Sequence, residues 1–401
     1  MVWKVVCHNK KLASKTIISD SIDLVRIEDW KQTNYLNNIY LTSEYLSAIE
    51  ETVGQELDFR YLQFYSDNNS PIGMAVVQIV NLKDSVENHE DVLCAVKQSI
   101  RKKLVNTIDA RVIVCGNLFS CGENGFSFHP DVELPDALSM LNAGLKRIKE
   151  SENIKENQIS YYLLKEFWPD SFEKSDYLRK HDFRDFMIDA NMILPIHKSW
   201  SNFEDYLASM TTKFRTKAKS ALKRSNVLST KELDHIFLER NAEKIQELYS
   251  NVIDQADFKI GSLTGESFSK LKKNLGQNFL INGYFLDEKL VGFSACMVIN
   301  NHILDANYVG IDYGVNRDLA LYQRMLYDMV ECAIAKGFTE VRYGRTAEEL
   351  KSSLGAQPRN MKLYIKHRNH ISNQLLKPMI AKISPTVFDS RYPFKAEFSF
   401  S

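Results

Sequence analysis

The chain has 401 residues, 44% hydrophobic and 25% charged, which is too long for one ordinary core and predicts two domains. Lys and Arg together number 51, as do Asp and Glu; the zero net charge excludes a protein that binds nucleic acid over its whole surface. The opening residues MVWKVVCHNKKLASK lack the apolar core of a secretory signal, and no run of about 18 apolar residues occurs. The six cysteines are scattered without a C-x-x-C pair, so a reduced, cytoplasmic protein with no transmembrane segment and no metal site is expected.

In chain order, a helix is expected near Ser43 to Val53. Residues 61–80, YLQFYSDNNSPIGMAVVQIV, hold two apolar runs around a polar turn, Asp67 to Pro71, with Gly73 near the start of the second run. This is a β-hairpin signature. The strand ARVIVCG follows, then CGNLFSCGENGFSFHP, residues 115–130, a glycine-bearing loop placed to border a cleft. His129 in it reads as a loop residue, and Cys115 and Cys121 read as buried or free thiols. A helix from Pro135 to Lys149 and the strand QISYYLLKEF come next. FMIDANMILPI, residues 186–196, is a strand leading into the second half. A boundary near Pro195 to Ser201 gives a first unit of residues 1–197.

The second half opens with DYLASMTTKFRTKAKSALKRS, residues 205–225. Lys213, Arg215, Lys217, Lys219, Lys223 and Arg224 spread around this helix, as a solvated face or as an attractor for phosphates of CoA, a nucleotide-linked precursor or tRNA. Helices at Ala242 to Ile253 and Phe268 to Leu275 follow. The segment between them, QADFKIGSLTGESF, is a connecting loop or a substrate loop offering Asp257, Lys259 and Thr264. YFLDEKLVGFSACMVI, residues 284–299, is a second hairpin; its VGFSACMVI shares a pattern with IGMAVVQIV of the first, which points to internal duplication. HILDANYVGID is the next strand. Asn316 is placed to cap a helix from Arg317 to Lys336, which Gly337 stops. The strand TEVRY, a short helix within YGRTAEELKSSLGAQP (residues 343–358) and the strand RNMKLYIKH complete the order α-α-β-β-β-α-β-α-β, and a second unit of residues 198–368. The tail, residues 369–401, carries ISNQLLKPMIAKI, an amphipathic helix suited to docking on the core or to peripheral membrane contact.

Three segments, DYLASMTTKFRTKAKSALKRS, DANYVGIDYGVNRDLALYQRML and YGRTAEELKSSLGAQP, together with the repeated hairpin, resemble the FemAB-like branch of the GNAT acyltransferase superfamily. The resemblance spans most of the chain. It implies an α/β fold with an α+β mixed sheet: two tandem GNAT-like units, each a twisted, mostly antiparallel sheet flanked by helices. It also implies direct attack of an amine on a thioester or ester carbonyl, with no covalent enzyme intermediate and with catalysis by positioning and polarisation. The implied donor is an acyl-CoA-type thioester, a co-substrate rather than a tightly bound cofactor. The alternatives are aminoacyl-tRNA-dependent transfer to a cell-wall precursor, and a non-catalytic binding protein that keeps the fold.

Candidate residues follow from the elements and the resemblance together. GNAT enzymes hold the donor pyrophosphate on a Q/R-x-x-G-x-G/A turn; here Asp312-Tyr313-Gly314-Val315-Asn316-Arg317 has a glycine and an arginine at another spacing. Gly314, Asn316 and Arg317 are the donor-binding candidates, the alternative being a plain loop with a cap. Alternation along ILDANYV puts Asp305 and Asn307 on one face with Ile303 and Val309, and Leu304 and Tyr308 on the other. Asp305 is either a proton acceptor or half of a structural Asp–Asn pair. Thr346 with Glu349 forms the pattern of a capping box and Gly355 that of a C-cap, which leaves Arg345 for a substrate anion or a salt bridge. Lys351 complements the helix dipole. The catalytic set is thus Asp305, Tyr308 and Arg345, and the substrate set Asp257, Lys259 and Asn307.

Overall fold

The computed structural model describes residues 3–6, 15–81, 111–152, 159–255, 262–381 and 383–398. The first half carries β1 (Trp3–Val6), β2 (Lys15–Ser19), α1 (Ile27–Thr33), α2 (Ser43–Val53), β3 (Leu57–Tyr65) and β4 (Pro71–Asn81). It continues with β5 (Arg111–Cys115), β6 (Phe126–Phe128), α3 (Leu134–Glu152), β7 (Ile159–Phe167), α4 (Phe172–Ser175) and β8 (Arg184–Pro195). Then come α5 (Phe203–Ser209), α6 (Thr212–Arg224), β9 (Ser229–Glu232), α7 (His235–Arg240), α8 (Ala242–Ile253) and α9 (Gly265–Leu275). Next are β10 (Phe279–Leu286), β11 (Lys289–Ile299), β12 (Ile303–Ile311), α10 (Tyr313–Leu319) and α11 (Leu321–Lys336). The chain closes with β13 (Glu340–Arg342), α12 (Glu348–Ser353), β14 (Gln357–His367) and α13 (His370–Ile380).

Two compact units result. One comprises Met1–Ile188, Asp257–Leu263 and Asn360–Pro385; the other comprises Asp189–Ala256, Thr264–Arg359 and Thr386–Ser401. The last strand therefore returns to the first unit, where β14 pairs with β7. Strand order in the first unit is β1-β2-β3-β4-β5-β7-β14, antiparallel throughout except for the parallel pair β5–β7, with β6 on β4. Leu138, Leu141, Leu145 and Ile148 repeat at helical spacing and bury α3 against Leu62, Val77 and Ile113. α13 is tied to this unit by Asn373, whose amide donates to the Asp182 carbonyl and accepts from the His367 N–H, while Ile371 and Leu375 stay exposed. No helix among the described residues is long and apolar enough to cross a membrane.

In the second unit the order is β8-β13-β12-β11-β10-β9, with β12–β13 the parallel pair. α5, α6 and α11 cover one face over Tyr206, Ala218, Leu304, Val330 and Val341. α8 and α9 cover the other, where the Phe268 ring meets Phe293, Tyr308 and Tyr249. The two hairpins share a detail beyond pattern. In each, the second strand gains one residue just before its glycine: Phe64 pairs with Gly73 and Tyr65 with Pro71, as Tyr284 pairs with Gly292 and Phe285 with Leu290. A bulge at the same place in both hairpins is what a duplicated unit retains.

Candidate active site

β12 and β13 pair only at Ile303–Glu340, Leu304–Val341 and Asp305–Arg342. β12 then runs on to Ile311, whereas the continuation of β13 follows β8 instead. Tyr343 N–H donates to the Met192 carbonyl at 2.8 Å, Met192 N–H to the Gly344 carbonyl at 3.0 Å, and Gly344 N–H to Asn191 Oδ1 at 3.0 Å. The parallel pair therefore opens just after Asp305, and no further β12–β13 pairing follows among the described residues.

A bulge sits at that opening. Met297 pairs with Asp305 and Ala295 with Tyr308, so two steps on β11 span three on β12. The extra residue reverses the alternation, which corrects the expected faces. Leu304, Ala306 and, beyond the bulge, Val309 pack on the α11 side. Tyr308 lies on the α8–α9 side against Phe268 and Tyr249. Asp305 faces that same side, because it opposes Met297, whose neighbours Cys296 and Val298 both point to the α11 core. Asp305 and Tyr308 thus share a face, and Val309 leaves it. Asp305 is fully buried and its Oδ2 accepts from Asn307 Nδ2 at 2.9 Å. Asn307 Oδ1 lies 3.8 Å from where a side chain on Gly344 would begin.

The stretch from Gly344 to Ala347 holds unusual backbone: φ is +69° at Gly344, +65° at Thr346 and +52° at Ala347. Left-handed threonine is rare, because a β-branched side chain crowds the backbone there. This also corrects the expected capping box. α12 starts at Glu348 behind Ala347, and no side chain caps it. What holds the stretch is Lys351, 2% exposed, whose ammonium donates to the carbonyls of Tyr343 at 2.8 Å, Gly344 at 3.4 Å and Arg345 at 2.5 Å. Its position is a buried clamp, not a surface complement to the dipole. The Arg345 side chain is half-buried beside it.

Asn191 was not among the sequence candidates. It is fully buried, and while Oδ1 holds the Gly344 amide, its Nδ2 has no hydrogen-bond partner among the described residues. One sequence signal pointed to it: Asp-Ala-Asn occurs at 189–191 as well as at 305–307. The Cys296 thiol and the Tyr343 phenol are held in their neutral forms. Burial, with Cys332 and Asp305 adding, pushes the Cys296 thiol well above its ordinary value, and burial does the same to the Tyr343 phenol, whose hydroxyl donates to the Leu326 carbonyl.

The donor-binding candidates fall elsewhere in the local structure than expected. The helix expected from Arg317 to Lys336 is two helices, broken at Ala320 with φ +50°. Gly314, Asn316 and Arg317 lie inside α10, not in a turn ahead of the long helix. The Gly314 amide is taken by Asp312 Oδ1 at 2.8 Å, so Asp312 is the cap of α10. Asn316 Oδ1 accepts from Tyr322 N–H at 2.9 Å and thereby caps the first turn of α11 across the break. Arg317 is exposed, and its carbonyl accepts from Arg224 of α6 at 2.9 Å. Lys213, Lys217, Lys219 and Lys223 are exposed on α6 and make no ion pair among the described residues. Thr264 and Ser267 form a capping box for α9; Asp257 and Lys259 lie outside the described residues.

The equivalent place in the first unit is filled. β5 and β7 stay paired from Arg111–Ile159 to Cys115–Leu164, and all five residues of β5 are buried. The loop after β5 packs back with Asn117, Phe119, Ser120 and Asn124 buried; Asn124 Oδ1 accepts from Asn38 Nδ2 at 2.8 Å. Among the described residues, the open strand pair is found in the second unit.

No protein-family profile and no curated relative matches the sequence. Solved structures do match in shape. FemX aligns with a TM-score of 0.54 at 12% identity, over 89% of this chain and 98% of that one. The C-terminal domain of a putative lysylphosphatidylglycerol synthetase from Agrobacterium fabrum aligns with a TM-score of 0.50 at 8% identity, over 89% and 96%. A tandem GNAT protein from the clavulanic acid biosynthesis pathway gives 0.50 at 8%, over 92% and 98%. The chain shares the fold of these proteins, that of two GNAT-like units in tandem.

Proposed function

We propose that the second unit is an N-acyltransferase centre, in which an amine attacks an activated carbonyl at the opening between β12 and β13. The observation that carries this reading is the opening itself: a strand edge without a β-partner beyond Asp305, bordered by a buried carboxylate and by a buried amide with an unused N–H. An extended, amide-bearing donor arm of the acyl-CoA type adds to such an edge as a further strand. Asn191 Nδ2 polarises the carbonyl. Asp305, oriented by Asn307, takes the proton of the amine directly or through water. The new bond joins the amine nitrogen to the acyl carbon, the carbon–sulfur bond breaks, and the thiolate leaves and is protonated. Tyr308 lines the face of Asp305, and Arg345 orients an anionic group of donor or acceptor. Gly314, Asn316 and Arg317 serve the donor only through the exposed Arg317 side chain, since the other two are engaged in caps. The four described cysteines are free thiols, in keeping with work in the cytoplasm.

A second reading has its own support. The carboxylate of Asp312 occupies the amide that a pyrophosphate would need, and α6 presents exposed lysines that make no ion pair among the described residues. Both features favour an aminoacyl-tRNA donor over CoA, with the same attack on an ester carbonyl. Thermal stabilisation of the full chain by CoA, acetyl-CoA, a long-chain acyl-CoA and deacylated tRNA separates the two. A shift with a CoA species supports the first reading, and a salt-sensitive shift with tRNA alone supports the second. No shift with any of them leaves a binding protein that has kept the fold. With the donor in hand, Arg345→Ala is expected to lower turnover about 10- to 100-fold, beyond any loss of folded protein. Unchanged turnover would remove Arg345 from the site.

A further inference from the structure

A cavity of about 180 Å³ opens in the first unit, where the C-terminal half of α3 faces β7 and the end of β14. Its walls are Asn142, Lys146, Lys149 and Glu150 of α3, Tyr162 of β7, Lys366 of β14 and Arg368 just beyond. Four cations thus face one carboxylate. Lys146 and Lys149 make no ion pair among the described residues. Lys366 is aimed by the His181 carbonyl, to which it donates at 2.7 Å, and lies 3.9 Å from the Asp182 carboxylate.

Charge alone would describe a solvated helix face. The floor of the cavity argues otherwise. Asn142 is 6% exposed and Tyr162 5%, and neither the amide nor the hydroxyl makes a hydrogen bond among the described residues. Both side chains are packed, yet their polar ends are not sealed in the core: both residues line the cavity, so an amide and a hydroxyl with no other partner among the described residues are available to a ligand held there. Burial lifts the Tyr162 phenol to about 12, with Glu150 adding and Arg368 opposing, so its hydroxyl stays protonated and available as a donor. Beside the cavity, His181 Nε2 is buried without a partner, and burial followed by the charges of Lys146 and Lys366 holds this imidazole below its ordinary value.

We propose that this cavity binds a small phosphate-bearing anion. Lys146, Lys149 and Lys366 neutralise it, while Asn142 and Tyr162 donate to its oxygens. The cationic walls, with two lysines of α3 that make no ion pair among the described residues, match a multivalent oxyanion better than a monocarboxylate, and the volume limits the ligand to a small molecule. The site shares no residue with the opening between β12 and β13, and the inference stands whether or not acyl transfer does.

Titration calorimetry on the full chain with inorganic phosphate, pyrophosphate and glycerol phosphate, against sulfate and chloride at matched ionic strength, tests it. Saturable binding of a phosphate species is expected, weakened about tenfold or more in Lys146→Ala/Lys149→Ala, whose side chains are exposed or half-exposed and whose loss leaves the core intact. Tyr162→Phe is expected to weaken it several-fold without moving the melting temperature of the free protein. Binding is also expected to raise the His181 titration in proton NMR, because the anion offsets Lys146 and Lys366. Tighter binding of glycerol phosphate than of inorganic phosphate would identify a phosphorylated metabolite as the ligand; the reverse would identify the free anion. Absence of saturable binding, sulfate binding as tight as phosphate, or affinity untouched by the double variant would overturn the proposal.

Discussion

Lys351 and Asn191 both secure the same short piece of backbone. One ammonium gathers three carbonyls at the end of β13, and one amide oxygen takes the Gly344 N–H. Together they hold two left-handed non-glycine residues, each of which costs about 1–3 kcal/mol and persists only where the surroundings fix it. Lys351→Met keeps the buried stem and leaves the carbonyls without their donor. It is expected to destabilise the protein by about 1–3 kcal/mol or more, read as a lower urea midpoint. A midpoint within error of the parent would mean that the stretch holds without the clamp. Asn191 permits a sharper division. Asn191→Asp retains an acceptor for Gly344 N–H and removes the unused donor. If Nδ2 polarises the reacting carbonyl, turnover falls about 10²- to 10³-fold while circular dichroism is unchanged. A variant with parental turnover would make Asn191 a purely structural residue.

At the scale of elements, backbone approach decides where substitution is tolerated. Gly355 has φ +105°, and a side chain there would begin 2.1 Å from the Phe394 ring. Gly355→Ala is expected to cost about 1–3 kcal/mol by combining strain with overpacking, measured as a lower melting temperature. No change would show that the segment bearing Phe394 yields freely. Gly355 could be assigned from sequence because helix termination is local chemistry, and the hairpins could because alternation and turn residues are local as well. The bulge between Asp305 and Tyr308 could not: a period of two is assumed along any strand, and nothing in Ala-Asn announces an added residue. The break at Ala320 was hidden for a related reason. Alanine is the best helix former, and what breaks the helix there is Asn316 reaching across to Tyr322, a contact seen only in three dimensions. Lys351 was misplaced because a lysine on a short helix is normally exposed, and its partners are carbonyls, which the sequence does not distinguish. Asp305, Asn307 and Arg345 could be singled out because polar residues within or at the end of apolar strands are conspicuous; the contact of Asn191 with Gly344 follows only from the order in which β8 and β13 pair.

At the scale of the molecule, the two units differ in how acid acts on them. In the first, burial works to raise the Asp176 carboxyl, but hydrogen bonds from Tyr364 and Lys362 and the charges of Lys362 and Arg179 outweigh it and hold it low. Asp185 is held low first by its hydrogen bonds with Arg179, at 2.8 and 2.9 Å. His181 is held low by burial and then by Lys146 and Lys366. All three bind protons more readily in the unfolded chain, so stability in this unit falls with pH. The histidine contribution is complete above about pH 6.5 and is lost as pH drops toward its folded value; the carboxylate contributions are complete above about pH 4 and are lost below. The second unit carries the opposite case. Burial raises the Asp328 carboxyl despite Arg324, so the folded form takes up this proton first and gains stability as pH falls. Acid unfolding is therefore expected to begin in the first unit. Trp3, Trp30 and Trp168 belong to the first unit and Trp200 to the second, so emission from a Trp200→Phe variant follows the first unit alone, and its difference from the parent follows the second. The variant's transition should lie at higher pH than the difference signal. Coincident transitions would mean that the units unfold as one body whatever their separate charges, and the reverse order would assign the dominant acid-labile groups to the second unit.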